Sequence, residues 1–303
     1  MEYPGKEGAP ADPLEQYRIG IDYYFGNNVR QDYEKAFIWF HLSAIQGYAP
    51  AQCMLGKMFE YGQGVNRSYP KALCYFGLAV QHDVPQAKYE LGLMHQAGRG
   101  IPVSYETAAV LWKSAADDGY SKAQFALALL YDGGLGVEKS KVKAFEYFLM
   151  AARQGEPMAM FHVGVRYEEG VGVEQSYSEA LRWLRAAAEG GDVRALFELG
   201  WMTYFGLGCR RSEREAKRLI FMAAERGAVE QIMRDAKHPY AFAQIRIGWL
   251  YFMGWGVEQS DFVALAWYSG ARVLGHRDAD RFIDGITKRI TEDHGHKALG
   301  SGE

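Results

Sequence analysis

One small residue recurs at a fixed interval along this chain, and no other feature restricts its fold as strongly. It is the second of a Leu-Gly-like pair: Gly20, Gly56, Gly92, Ala128, Gly164, Gly200 and Gly248. Successive positions differ by 36 residues five times and then by 48, which is one period plus 12 residues. Six places on, every unit has glycine (Gly26, Gly62, Gly98, Gly134, Gly170, Gly206, Gly254). Sixteen places on, every unit has alanine (Ala36, Ala72, Ala108, Ala144, Ala180, Ala216, Ala264). A register held at three positions through seven units marks a repeat array, in which no unit can bury its apolar faces alone and each must stack on the next.

Each unit reads as two helices. In Ala195–Gly206, the apolar residues Phe197, Leu199, Trp201, Tyr204 and Phe205 follow helical rather than alternating spacing. The run "EGVGV" at Glu169–Val173 would suit a phosphate loop in isolation, but it recurs in units that share no ligand chemistry. Gly170 is therefore expected to end a helix in the left-handed conformation, and Gly172 to shape the turn. The second helix begins at Asp32, Ser68, Ser104, Ser140, Ser176, Ser212 or Ser260, side chains that can accept a bond from a first-turn amide. Ser176 with Glu179 and Ser212 with Glu215 have the spacing of a capping box. Gly or Ala in the first helix and Ala in the second let backbones approach, and large residues such as Phe76 and Trp183 fill the space between units.

The composite "AxxxLGxxYxxGxGVxxSxxKAxxWFxxAAxxG" resembles the Sel-one-like repeat family, a relative of the tetratricopeptide repeat. The resemblance covers residues 13–279 and implies an all-α fold: a right-handed α/α superhelical solenoid of seven helix-turn-helix repeats of 36 residues, the first helix of each lining the concave side. The expected units are 13–48, 49–84, 85–120, 121–156, 157–192, 193–240 with the insertion, and 241–279. A flexible tail over 1–12 precedes them. Residues 280–303 form a capping helix, with Phe282, Ile283, Ile286 and Ile290 on one face, and then a mobile tail. Three departures from the family pattern stand out: Ser where most members have Asp at the cap, Asn28 for a loop glycine, and Cys209 for a valine.

The formal charge of −3 argues against a nucleic-acid partner, which calls for a clustered basic excess. Cys53, Cys74 and Cys209 form neither a disulfide framework nor a zinc spacing. Cys53 and Cys74 read as small buried apolar residues. "MEYPGKEGAPADP" lacks the features of a leader, and no run approaches the roughly 18 apolar residues of a membrane span, so a cytoplasmic location without membrane insertion is expected. No GxxxxGK[ST], HExxH or GxSxG occurs, and neither a cofactor nor a metal is expected. His294 and His296 read as part of a solvated tail, and the "NRS" at Asn66–Ser68 as a helix cap rather than a glycan acceptor.

Function is sought where the units differ. By analogy with the tetratricopeptide register, the positions one, four and five places after the Leu-Gly glycine face the groove. They are polar to acidic in the middle units, with Glu168 and Glu169 in the fifth, and aromatic in the last two: Trp201, Tyr204, Phe205, Trp249, Phe252 and Met253. Such residues are either a partner-binding patch, rich in the types that make hot spots, or core packing. The acidic pair reads as a solvated groove. The insertion within Val229–Phe242 is either on the binding face or a surface excursion. The expected function is a non-catalytic scaffold or adaptor that binds another protein or peptide in its groove. The resemblance also implies, as alternatives, a bacterial immunity protein that neutralises a toxin by binding, and a hydrolase of a cell-wall or β-lactam-like substrate. Oligomeric state is left open.

Overall fold

Glycines and alanines on the first helix of each pair let the second helix lie almost in backbone contact. A Cβ on Gly56 would come 2.6 Å from the Phe76 ring, and one on Gly248 would come 2.5 Å from Tyr268. The computed structural model describes residues 10–236 and 241–299, and every regular element among them is an α-helix. They fall into two compact units, Met1–Glu156 and Pro157–Glu303.

The N-terminal unit holds four helix pairs. They are α1 (Pro13–Phe25) with α2 (Tyr33–Ala44), α3 (Ala49–Tyr61) with α4 (Tyr69–Val80), α5 (Pro85–Ala97) with α6 (Tyr105–Asp117), and α7 (Ser121–Gly133) with α8 (Lys141–Arg153). The C-terminal unit comprises α9 (Pro157–Glu169) with α10 (Tyr177–Glu189), α11 (Val193–Phe205) with α12 (Glu213–Glu225), α13 (Ala228–Ala236), α14 (Ala241–Met253) with α15 (Asp261–Val273), and α16 (Ala279–Leu299). Within each unit, helices pack on their neighbours in chain order, as stacking of repeats requires.

The loops follow from a second close approach. Gly136 has φ +66°, and a Cβ there would lie 2.3 Å from the carbonyl carbon of Tyr105 in the preceding pair, so glycine is needed for conformation and for space alike. In the first pair the equivalent position is Asn28, at φ 59°. Asn tolerates that conformation, and the described residues contain no earlier pair for it to meet.

The caps form with two corrections. Asp32, Ser104, Ser140, Ser176, Ser212 and Ser260 accept a first-turn amide, whereas Ser68 sits at the cap position without a side-chain bond. The two capping boxes close on one side only. The Ser176 and Ser212 amides donate to Tyr167 and Thr203 carbonyls of the preceding helix, while Glu179 and Glu215 bind Arg182 and Arg218. Every second-helix cap residue donates in this way, nine or so residues back, so the repeat supplies the acceptor that a Glu side chain would otherwise provide.

Other expectations also change. Cys53 is buried, but Cys74 is exposed on α4. The insertion is no surface excursion. Its described part is α13, which buries Ala228 and Ile232 and packs on α11, α12 and α14. α13 starts where the period would begin the next unit, and residues 237–240 lie outside the described residues. Pro10 and Asp12, expected in the tail, hold α1 through bonds to Gln16 and the first-turn amides. α16 places Ile286 fully inside and packs Phe282, Ile283 and Ile290 on the core, and it continues to Leu299 through residues expected to be tail. Residues 1–9 and 300–303 lie outside the described residues.

Candidate functional site

On a helix, positions three apart share a stripe, so the residue two before the Leu-Gly glycine extends the groove-facing row by one turn. In the C-terminal unit that position carries Glu198 on α11 and Arg246 on α14. Four places after the glycine, α9 carries Glu168. The three side chains meet: Arg246 Nε donates to Glu198 Oε2 at 2.9 Å, and Nη2 donates to Glu168 Oε1 at 2.7 Å. All three are buried, Glu198 and Arg246 to within 1% and 3%. The guanidinium lies 3.7 Å from the centroid of the Trp201 ring, and this stacking holds the fork in plane.

Charge in this cluster is unbalanced. One buried guanidinium faces Glu168 and Glu198, with Glu169 at the next position. Burial pushes Glu198 up to about 8 and Glu169 up to about 7, with Arg246 opposing the rise in both. Burial raises Glu168 too, against the pull of Arg246, and burial opposes the Arg246 charge until the carboxylates outweigh it. Glu168 Oε2 is buried without a hydrogen-bond partner; the Trp201 indole is near enough to favour the carboxylate but does not close a bond. The N-terminal unit offers a contrast three periods earlier, where Glu60 and Glu90 occupy the same two register positions. There each has its own cation: Arg99 pairs with Glu60, and Lys57 with Glu90 at 3.0 Å.

Above the cluster lies a cavity of about 330 Å³. Glu168, Arg246, Trp201 and Ile245 form its buried floor, and Tyr177, Phe205, Leu207 and Phe282 form half-buried walls. Glu169, His276, Arg277, Asp278 and Arg281 stand at the edge, with Arg277 and Arg281 exposed. His276 Nδ1 accepts the Asp278 amide at 3.2 Å, which leaves the ring proton on Nε2, 3.9 Å from Glu169 Oε1. Burial, then the charge of Arg246, lowers the His276 pKa, so the ring is neutral at pH 7. No Ser, Thr or Cys lines the cavity. Among the described residues, no group of three His, Cys, Asp or Glu is placed to hold a metal.

The aromatic residues singled out in the sequence divide between two fates. Trp201 and Phe205 line the cavity, as do Glu168 and Glu169. Trp249 is 2% exposed and meets Trp201 and Trp255 edge to face, while Tyr204 packs against all three neighbours Phe205, Trp249 and Trp255. Phe252 is covered by Arg289 of α16 at 3.7 Å, and Met253 packs on the same core. Trp249 is thus buried, and Tyr204, Phe252 and Met253 are half-buried against the core. Glu168, expected to be solvated, is instead buried in an ion pair. Glu198, Arg246 and His276 escaped the sequence reading. The first two were within reach, because extending the groove-facing row by one turn finds them.

Comparison with known proteins agrees with the repeat register. The profile described as Sel1 repeat matches residues 16–48, 49–83, 85–120, 121–156, 157–192, 193–227 and 241–271. Among solved structures, the chain is similar to c5321, a protective antigen of uropathogenic Escherichia coli displaying an SLR fold, at 28% identity and a TM-score of 0.66. That match covers 92% of this chain and 65% of the antigen, so the chain spans just under two thirds of its length. A Sel1 repeat protein from Oxalobacter formigenes is 32% identical at a TM-score of 0.67, over 73% of this chain and 90% of that one. An immunity protein from Pseudomonas aeruginosa, 22% identical at a TM-score of 0.46 over 72% of this chain and 84% of its own, is alike in fold alone. No curated protein matches the sequence.

Proposed function

The chain belongs to the Sel1 repeat family, and from that premise we propose that it is a non-catalytic binding module, an adaptor that holds a segment of another protein at the cavity of its C-terminal unit. The observation that carries this reading is the cavity itself. Here about 330 Å³ is left open over a charged floor. Aromatic walls around a few convergent polar groups are what a side-chain pocket needs, since the rings supply apolar area and the polar groups supply orientation. A carboxyl group near pH 7 beside a histidine could also serve acid–base chemistry. The lining offers no Ser, Thr or Cys to accompany it, and Tyr177 is its one hydroxyl, so we favour binding. Neutralising a toxin would be a special case of the same activity.

A photo-crosslinking residue at Arg281, on the exposed edge, tests the proposal in cells, with one at Val110, 71% exposed on α6, as the control. The expected result is a discrete crosslinked protein from position 281 and none from 110. Equal capture at both positions, or none at 281, would overturn it.

A further inference from the structure

We infer that the cavity of the C-terminal unit receives a cationic side chain, a lysine or an arginine of the bound segment, whose N–H groups donate to Glu168 Oε2 and Glu169 while its methylenes lie against Trp201 and Phe205. This inference rests on the reading of the cavity as a partner site.

Three observations lead to it. First, Glu168 is 5% exposed, lines the cavity, and keeps one carboxylate oxygen buried without a donor. A buried acceptor left unpaired is costly, and a donor arriving in the cavity removes that cost. Second, the charge count calls for a cation. The same register positions in the N-terminal unit carry two carboxylates with two cations, but here Glu168 and Glu198 share Arg246, and Glu169 adds a third carboxylate on which Arg246, buried Arg166 and exposed Arg277 act only partly against burial. Burial raises the pKa values of Glu169 and Glu198, and the neighbouring Glu168 adds to the rise against the pull of Arg246. A bound ammonium or guanidinium supplies that charge in a desolvated place, where a charge-assisted bond is strongest. Third, the walls suit the rest of such a side chain, because aromatic rings accept both the alkyl stem and the face of a cation.

The edge carries cations as well, Arg277 and Arg281, and they need to be weighed. Arg277 is 65% exposed and pairs with Asp278 at 3.6 Å, and Arg281 is exposed. Charges in that setting are screened by water and salt, whereas those on the floor are not. The edge therefore disfavours a cation less than the floor favours one.

The test uses the full chain labelled with ¹⁵N at tryptophan, observing the Trp201 indole N–H resonance, with Trp183 on α10 as reference. The probes are the N-acetyl methylamides of lysine, arginine, glutamine and glutamate. Lysine or arginine is expected to shift the Trp201 signal saturably at millimolar concentration, glutamine and glutamate at least about tenfold more weakly. Glu169→Gln is expected to weaken the cationic probes by about tenfold with the fold intact, and Glu168→Gln to do the same. Glutamine binding as well as lysine, glutamate binding best, no response to any probe, or full binding by a folded Glu169→Gln would each overturn the inference. Crosslinking from position 281 separates the two proposals. If it captures a protein while the cationic probes fail, the partner site stands and only its preference for a cation falls.

Discussion

Arg246→Met removes the cation hydrogen-bonded to both Glu168 and Glu198 in the buried cluster of the C-terminal unit and leaves an unbranched apolar stem in its place. Two charge-assisted hydrogen bonds are lost, to Glu198 at 2.9 Å and Glu168 at 2.7 Å. At about 1.5–3 kcal/mol each the loss is roughly 3–5 kcal/mol, the range seen when one member of a buried ion pair is removed. For a unit near 150 residues this is about 10 °C in melting temperature. The penalty must depend on pH. Glu169 and Glu198 have folded pKa values of about 7 and about 8, above their ordinary 4.5, so the folded state binds more protons than the unfolded one. Their contribution to stability is fully present below the ordinary carboxylate range and is lost as pH rises through 7 and 8. Without Arg246 the largest offset to those negative charges at high pH is gone. The gap between wild type and variant is therefore widest near pH 8 and narrows toward pH 5. Urea unfolding followed by tryptophan emission measures it, because five of the seven tryptophans lie in the C-terminal unit. Adding Glu168→Gln and Glu198→Gln should recover more than half the loss, since no buried charge is then left alone. A penalty below about 1 kcal/mol at pH 8, or one that does not change with pH, would refute the account.

Three further outcomes are expected. Ser212→Ala should cost about 1 kcal/mol through the lost bond to the Glu215 amide, and Ser68→Ala only a few tenths, because Ser68 makes no such bond; urea midpoints compare them. Gly136→Ala should cost at least about 2 kcal/mol, because the left-handed conformation and the Tyr105 backbone both oppose a side chain, while Asn28→Gly should be nearly neutral in the same assay. A colorimetric thiol reagent should modify Cys74 rapidly and Cys53 only on unfolding, since Cys53 is buried and its thiol is pushed up to about 12; mass spectrometry after brief labelling identifies the site.

Much of the architecture could be read from spacing alone. Gly26 and its equivalents do end helices in the left-handed conformation, Asp32 and five of the serines do cap, and Phe282, Ile283, Ile286 and Ile290 do cover the last pair. These features are set by contacts within one or two turns, or by a register that every unit repeats, so a periodic sequence displays them directly. The candidate site was half visible. Glu168, Glu169, Trp201 and Phe205 stood out because they break the repeat, yet their environment did not follow from that.

Spacing says which stripe of a helix faces its neighbours, but only stacking decides whether water remains there. Trp249 and Glu168 occupy positions of the same row in different units, and both end up buried, Glu168 against Arg246 of α14 and Trp249 among Trp201, Tyr204 and Trp255. The coupling of Arg246 to Glu198 and Glu168 joins residues 48 and 78 positions apart. No local rule relates such residues, because the pairing joins three helices, two of them separated by a 12-residue insertion. The sequence by itself determined the seven helix pairs, their turns and most of their caps. Tertiary packing decided that one arginine would face two buried carboxylates, and that a cavity would stay open above them.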